Sequence, residues 1–150
     1  MLQNRTDNKY ICFKQNSMTI TTIYQGELRT EATHVATQTT ILTDAPLDNK
    51  GKGSTFSPTD LMCASLGSCM LTIMGIYAQE YEIDISKTNL SIQKIMASDP
   101  RRVLEIKLQF DFPKNDFSEK HRLSLKRVAR NCPVAKSLHP DLIQTVTFNF

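Results

Sequence analysis

Residues 57–69, SPTDLMCASLGSC, begin the longest helix that the sequence predicts, and the rest of the fold is expected to pack around that helix. Ser57 belongs to the residue types preferred at a helix N-cap, and Pro58 suits the first helical position. Asp60 falls in the first turn, where its negative charge matches the positive end of the helix dipole. These residues predict a helix from about Pro58 to Tyr81.

The predicted helix is apolar on nearly every face rather than along one stripe. Its apolar residues are Leu61, Met62, Ala64, Leu66, Met70, Leu71, Ile73, Met74, Ile76, Tyr77 and Ala78. A helix that is apolar all round is typical of a protein interior. We therefore expect this helix to be central and to be covered by a sheet or by a partner subunit.

Strand patterns precede and follow the helix. Composition and alternation predict strands at Ser17–Tyr24, Leu28–Val35, Thr39–Thr43, Ile83–Ile85, Asn89–Met96, Val103–Phe112 and Thr145–Phe150. In the sixth of these, Leu104, Ile106 and Leu108 are expected to share one apolar face. Capping and proline signals predict a second helix from Ser118 to about Arg130 and a short one beginning at Pro133. The order predicts an α+β fold in a single domain spanning residues 1–150.

Charge and hydropathy exclude several classes of protein. The chain has 18 basic and 15 acidic residues, interspersed, for a net charge of +3. Such a balance favours ordinary solubility over a nucleic-acid or membrane surface. Residues 1–14 lack the apolar run of a signal peptide, and no stretch approaches about 18 consecutive apolar residues. We expect a cytoplasmic protein with no nucleic-acid or membrane partner.

The four cysteines are Cys12, Cys63, Cys69 and Cys132. Two disulfides are one reading, but cytosolic thiols are normally kept reduced, which favours redox chemistry for at least two of them. A metal site is disfavoured because the sequence has no Cys-x-x-Cys pair. In addition, the three histidines, His34, His121 and His139, show no ligand spacing with the cysteines.

The local setting of each cysteine suggests a different role. Cys132 precedes Pro133 near a predicted helix N-terminus, which favours a thiolate, although a small buried residue at a helix joint is an equal reading. Cys69 lies in the middle of the apolar helix, where its pKa should be raised unless a cation reaches it. Cys63 lies about 120° around the helix from Cys69 and is expected to be structural. Cys12 carries no functional signal, and spacing alone does not say whether Cys69 and Cys132 meet.

At these residues the chain resembles the OsmC/Ohr family, the osmotically induced protein C and organic hydroperoxide resistance proteins, and most closely its general OsmC-like branch. The resemblance is carried by Ser57–Leu61, by Gly67–Cys69 and by Cys132–Val134, in the expected order of elements. It implies an intertwined homodimer in which long central buried helices are wrapped by β-sheets. The active sites would then lie at the subunit interface.

The resemblance also implies a reaction. Cys69 would be the peroxidatic residue, which attacks an organic hydroperoxide and becomes a sulfenic acid, and Cys132 would resolve it as a disulfide. This agrees with general thiol chemistry, since a nearby second thiol traps a sulfenic acid before further oxidation. An external dithiol reductant, of the lipoyl type in some members, would regenerate the pair. No flavin, haem or metal is implied.

The peroxidases of the family hold the reactive thiolate with an N-terminal arginine, which a glutamate ten residues before the peroxidatic cysteine positions. In this chain Arg29 is the candidate cation, with Glu31 or Asp60 as its orienter and His34 as a substitute base. The glutamate position is occupied by Thr59, so the chain departs from the peroxidase pattern at an electrostatically important place. That departure favours an alternative function, in which a non-enzymatic OsmC-like protein binds an apolar small molecule or senses redox state at the same pocket.

Several residues also have simple surface or structural readings. An arginine on an early strand is more often solvated than catalytic, which is the competing reading of Arg29. His121 and His139 are expected to lie on the surface. The basic residues Lys126, Arg127 and Arg130 are expected to form a solvated helix face. A third possibility is that both Cys69 and Cys132 are structural.

Overall fold

A computed structural model describes residues 18–150, so Cys12 and the start of the first predicted strand lie outside the described residues. The strands are β1 (Ile20–Gly26), β2 (Arg29–His34), β3 (Thr40–Asp44), β4 (Asn89–Ser98), β5 (Arg101–Asp111) and β6 (Ile143–Asn149). The helices are α1 (Pro58–Glu80), α2 (Glu119–Arg130) and α3 (Pro133–Ser137), with a short 3₁₀ turn at Leu47–Asn49. The predicted α+β fold is confirmed.

The six strands form two separate three-stranded sheets. In the N-terminal sheet β1, β2 and β3 pair antiparallel in chain order. In the C-terminal sheet β5 is central, antiparallel to β4 and parallel to β6. A parallel neighbour requires a crossover connection, and α2 and α3 supply it between β5 and β6.

Helix α1 begins as the sequence predicts and ends one residue earlier. The Ser57 hydroxyl accepts from the Asp60 amide at 3.2 Å, and the Asp60 carboxylate accepts from the Ser57 amide at 2.8 Å. This reciprocal capping box satisfies two amides that the first turn would otherwise leave unpaired. Pro58 occupies the first helical position because that position needs no amide hydrogen.

The main core lies between α1, the C-terminal sheet and α2. Leu66, Met70 and Met74 on α1 and Ile106 and Phe110 on β5 are fully buried there. The helix and sheet approach so closely that a Cβ at Gly67 would come within 2.5 Å of Leu90 and 2.8 Å of Ile92. Glycine is the residue that this close approach allows.

One side of α1 is left open, which limits the prediction that the helix is covered on every face. Ser65, Ser68, Thr72 and Ile76 are exposed along that side. Among residues 18–150, α1 alone has the length and apolarity of a membrane span. Its packing against the C-terminal sheet, α2 and α3 accounts for this composition as that of a core helix.

Two local expectations were wrong. Ile83–Ile85 is not a strand, because its polar groups bond locally: the Ile83 amide donates to the Ala78 carbonyl at 3.0 Å, and the Ile85 carbonyl accepts from the Thr88 amide at 3.2 Å. In β5, a bulge separates the pairs Ile95 with Glu105 and Met96 with Val103. The extra residue, Leu104, leaves the inner face, and Val103 is buried in its place.

Candidate functional site

The fold brings Cys69 and Cys132 together. Cys69 lies on α1 and is half-buried, whereas Cys132 is the N-cap of α3 and is fully buried at 0% exposure. Helix α3 packs against α1, and this places Cys69 close enough to Cys132 to influence the pKa of the Cys132 thiol. The two sulfurs are not bonded to each other. Tertiary packing therefore brings Cys69 and Cys132 near each other, which their separation in the sequence could not reveal.

The position predicted for Cys132 is confirmed, but the electrostatic consequence differs. Its sulfur accepts a hydrogen bond from the Ala135 amide at 3.3 Å, which lowers the pKa of the Cys132 thiol. Burial has the larger effect and raises that pKa, and the neighbouring Cys69 raises it further. Cys132 is therefore a protonated thiol at neutral pH, and the more exposed Cys69 is the better candidate for the attacking sulfur.

Arg29 is held within the N-terminal sheet. Its guanidinium makes a bidentate ion pair with Asp44, the residue opposite it on β3, at 2.7 and 2.8 Å, and also donates to the Ser54 hydroxyl at 2.7 Å. Hydrogen bonds from Arg29 and Ser54 hold the pKa of Asp44 far below its usual range. Within one chain, neither of the expected orienters, Glu31 and Asp60, hydrogen-bonds Arg29.

Within one chain the structure does not bring Arg29 to Cys69. Across residues 18–150, the hydrogen bonds of the Arg29 side chain go to Asp44 and Ser54. The Arg29 side chain as a whole is nonetheless 35% exposed. His34, the expected substitute base, hydrogen-bonds Thr37 at 2.8 Å instead.

The first turn of α1 has a cation that the sequence reading missed, Lys94 on β4. Its ammonium donates to Asp60 at 2.6 Å, to the Thr59 hydroxyl at 2.8 Å and to the Ser57 hydroxyl at 3.2 Å. The signal was present in the sequence: Lys94 follows Leu90 and Ile92 on the apolar face of an alternating strand. The Lys94 side chain is only 19% exposed, and such burial of a lysine is tolerated because its charge is paired with Asp60.

Cys63 fits its structural reading. It is 3% exposed in the core, beside Asp60 and Lys94. Burial raises the pKa of its thiol, and the opposing effect of the Lys94 charge is smaller. Cys63 therefore provides a matched comparison for the reactivity of Cys69.

The remaining histidines and basic residues divide between surface and interior. His139 is exposed, as expected. His121 was wrongly expected on the surface: it is half-buried, and its Nδ1 hydrogen-bonds the Tyr77 hydroxyl at 3.0 Å. Arg127 and Arg130 are solvated, but Lys126 is half-buried with its ammonium 5.6 Å from the centre of the Phe150 ring.

A largely apolar groove of about 520 Å³ lies beside the start of α1, and neither Cys69 nor Cys132 lines it. Met62, which lines it, precedes Cys69 by seven residues, so the two lie on the same face of α1 about 10 Å apart. Leu138, at the other wall, follows α3, whose N-cap is Cys132. Among residues 18–150, no group of three or more His, Cys, Asp or Glu residues is arranged to hold a metal ion.

Comparison with known proteins agrees with this architecture. A family model described as OsmC-like protein matches residues 51–146. A crystal structure of a candidate osmotic stress induced and detoxification response protein from Psychrobacter arcticus is 47% identical, with a TM-score of 0.86. The match covers 92% of this chain and 100% of that one. A sequence search of curated proteins gives no match.

Two more distant structures share the fold alone. An organic hydroperoxide resistance protein OsmC from Legionella pneumophila is 12% identical, with a TM-score of 0.70 and coverage of 91% of this chain and 100% of that one. An organic hydroperoxide resistance protein from Elizabethkingia anophelis is 13% identical, with a TM-score of 0.69 and coverage of 90% and 99%. Because the family model spans more than half of the chain and the Psychrobacter protein is 47% identical over nearly all of it, the chain belongs to the OsmC/Ohr family of OsmC-like proteins.

Proposed function

We propose that the protein is a thiol-dependent peroxidase that reduces organic hydroperoxides to alcohols. The observation that carries this proposal is the packing of α1 against α3, which places a half-buried Cys69 near a fully buried Cys132. A partly exposed sulfur can meet a peroxide, and a buried sulfur beside it can trap the oxidised product before further oxidation.

The reaction has three balanced steps. The Cys69 thiolate attacks one peroxide oxygen and breaks the O–O bond, giving a Cys69 sulfenic acid and, after protonation, the alcohol. The Cys132 thiol condenses with the sulfenic acid to form a disulfide and water. An external dithiol, with lipoyl dithiols as the candidates, then reduces the disulfide by thiol–disulfide exchange and is itself oxidised. Regeneration of this kind needs a reducing compartment, so the proposal includes a cytoplasmic location.

The proposed active form is a homodimer with its reaction sites at the interface. Ile23, Ile41 and Leu42 of the N-terminal sheet and Ile76 of α1 are exposed in a single chain. Exposed apolar side chains of this kind favour association with another subunit. In a dimer, the exposed side of Arg29 is available to Cys69 of the second copy, and this is the catalytic role that we propose for Arg29.

A second candidate function is favoured by one observation at the first turn of α1. Thr59 supplies a hydroxyl to Lys94 where a carboxylate would supply a negative charge. With no acidic residue at that position, α1 offers nothing there to hold an activating arginine. The alternative is therefore a non-enzymatic protein that binds an apolar small molecule, or senses redox state, with the cysteine pair poorly activated.

Single-turnover oxidation separates the two functions. The reduced protein is mixed with cumene hydroperoxide, and the peptides containing Cys69 and Cys132 are analysed by mass spectrometry. Rapid, stoichiometric formation of a Cys69–Cys132 disulfide is expected for the peroxidase. Slow or absent oxidation would instead support the binding or sensing function.

Three variants assign the roles of the thiols. Cys69→Ser should abolish alcohol formation, and Cys132→Ser should accumulate a Cys69 sulfenic acid that dimedone traps. Cys63→Ser is the matched control, because Cys63 lies on the same helix and is buried away from the pair; it should react as the wild type does. Unchanged turnover in a folded Cys69→Ser protein would exclude the catalytic assignment.

A further inference from the structure

A second cavity lies between the N-terminal sheet and the start of α1, and neither Cys69 nor Cys132 lines it. Its volume is about 370 Å³, within the range of small-molecule sites. Most of its wall is apolar, with Tyr24, Leu28, Ala45 and Met96 contributing, and the Thr30 and Thr43 side chains also face it. We call it the threonine cavity.

The two threonines form a hydroxyl pair. Their Oγ1 atoms are 2.7 Å apart, and Thr43 is only 6% exposed. In such a pair one hydroxyl donates to the other, so the proton of the accepting hydroxyl still needs an acceptor of its own. Among residues 18–150 neither hydroxyl has another hydrogen-bond partner. One donor of the pair, beside the buried Thr43, is therefore left for a ligand.

Strand geometry keeps the strongest charges of this sheet out of the cavity. Successive side chains of a strand point to opposite faces. Thr30 and Thr43 face the cavity, whereas their neighbours Arg29 and Asp44 pair with each other instead of lining it. The charged residue that does line the cavity, Arg101, is 44% exposed and is paired with Asp48 at 3.0 Å. The lining therefore suits a neutral ligand better than an ionised one.

We propose that the threonine cavity binds a small, neutral, largely apolar molecule that carries one hydrogen-bond-accepting oxygen, such as a ketone. The apolar wall buries the body of the molecule, and the hydroxyl pair donates to its oxygen. This site is independent of the cysteine chemistry, so it can exist whether or not the protein is a peroxidase.

The test uses two fluorescent probes that differ in one acceptor. The first is 6-propionyl-2-(dimethylamino)naphthalene, a neutral aromatic ketone, and the second is 6-propyl-2-(dimethylamino)naphthalene, in which a CH₂ group replaces the carbonyl. Binding of each probe to the full, reduced chain is followed by fluorescence anisotropy. We expect saturable binding of the ketone, about tenfold tighter than that of the second probe, because about one net hydrogen bond distinguishes them.

The double variant T30V/T43V removes both hydroxyls with little change of shape. It should bind the ketone about tenfold more weakly than the wild type and the carbonyl-free probe equally well. Thr21→Val is the matched control. Thr21 is exposed and lies three residues before Tyr24 on β1, so its side chain points to the opposite face of the same sheet.

Three results would overturn the proposal. They are no saturable ketone binding by the wild type, equal affinity of the wild type for the two probes, and unchanged ketone affinity in T30V/T43V. The comparison of the two probes on the wild type needs no variant, so the proposal is tested even if T30V/T43V fails to fold. Circular dichroism establishes that the variants retain the native secondary structure.

Discussion

Two clusters in this protein have nearly the same composition and different settings. In one, Arg29 and Ser54 surround Asp44, which is 2% exposed and lies inside the N-terminal sheet. In the other, Lys94 and Ser57 surround Asp60, which is 40% exposed and caps α1. The first ties a sheet to the loop that follows it, and the second ties a helix start to the C-terminal sheet.

The comparison shows that each cluster has its own cation paired with its own carboxylate. The resemblance to the family's peroxidases implies an activating arginine positioned from the first turn of the central helix. In this chain Arg29 pairs with Asp44, and the first turn of α1 has its own cation, Lys94. In the dimer that we propose, Arg29 would reach Cys69 from another copy of the chain. Variants in each cluster test how separate the two clusters are.

The largest effect is expected from Arg29→Ala. It leaves a buried carboxylate at Asp44 without its bidentate partner, and an unpaired buried charge is strongly destabilising. The melting temperature should fall more than in any other variant considered below. Arg29→Lys is the matched control: it keeps the charge, loses the fork-shaped geometry and should melt at an intermediate temperature. A melting temperature equal to that of the wild type would show that this cluster contributes nothing to stability.

A pH effect is expected from the same cluster. Because Arg29 and Ser54 lower the pKa of Asp44, its stabilising contribution is complete above its unfolded pKa of about 4 and is lost as pH falls toward the lower folded value. Urea unfolding from pH 7 to pH 2 should therefore show a fall in stability below pH 4 that is smaller in Asp44→Asn. Asp48→Asn, in an exposed pair with Arg101, is the control and should behave as the wild type. Parallel pH profiles for Asp44→Asn and wild type would contradict the prediction.

A smaller effect is expected from Lys94→Met. The variant removes a paired charge from the apolar face of β4, but Asp60 keeps its bonds to Ser57 and is partly solvated. The free energy of unfolding should decrease by about 1 kcal/mol, measured by urea titration. Lys107→Met, on the exposed face of β5, is the matched control and should change stability by less than about 0.5 kcal/mol. Equal effects of the two variants would mean that the Lys94 cluster contributes little.

The smallest effect is expected from Thr59→Val, which removes one hydroxyl acceptor of Lys94. The expected loss is about 0.5 kcal/mol, and it should shrink when Lys94 is already methionine, leaving the part due to the 3.0 Å hydrogen bond between the Thr59 and Ser57 hydroxyls. A double-mutant cycle with Lys94→Met measures this coupling. The cycle with Arg29→Lys should give no coupling, because the two clusters share no hydrogen bond among the described residues. Coupling between Thr59 and Arg29 would show that the clusters act as one.

Much of the local structure could be predicted from the sequence. Ser57 and Pro58 marked the start of α1, and Pro133 marked the start of α3, because caps and prolines act on their immediate neighbours. The wrong predictions also have physical causes, which are hydrogen bonds to neighbouring elements and an irregularity in strand pairing. Ile83–Ile85 has a strand-like composition but bonds to the end of α1, and one bulge in β5 replaced Leu104 by Val103 on the inner face while Ile106 and Leu108 stayed buried.

The candidate site could be predicted in its residues but not in its electrostatics. Cys132 had two equal interpretations, a thiolate favoured by a helix start and a small buried residue at a helix joint. The hydrogen bond from the helix start is present, but burial outweighs it and raises the pKa. The partner of Arg29 was sought nearby in sequence or on α1 and lies instead directly opposite on β3, fifteen residues away. Lys94 was overlooked although its place in an alternating strand could have indicated a buried, paired charge.

Residue type and neighbours within a few positions were enough to predict most of the elements, the caps, the unusual apolarity of α1 and the two thiols of interest. Packing between distant parts of the chain was needed to show that Cys69 lies near Cys132, that Arg29 bonds Asp44, and that Lys94 bonds the first turn of α1. Those contacts join residues that are distant in the chain, and their energies depend on burial, which exists only once the chain has folded.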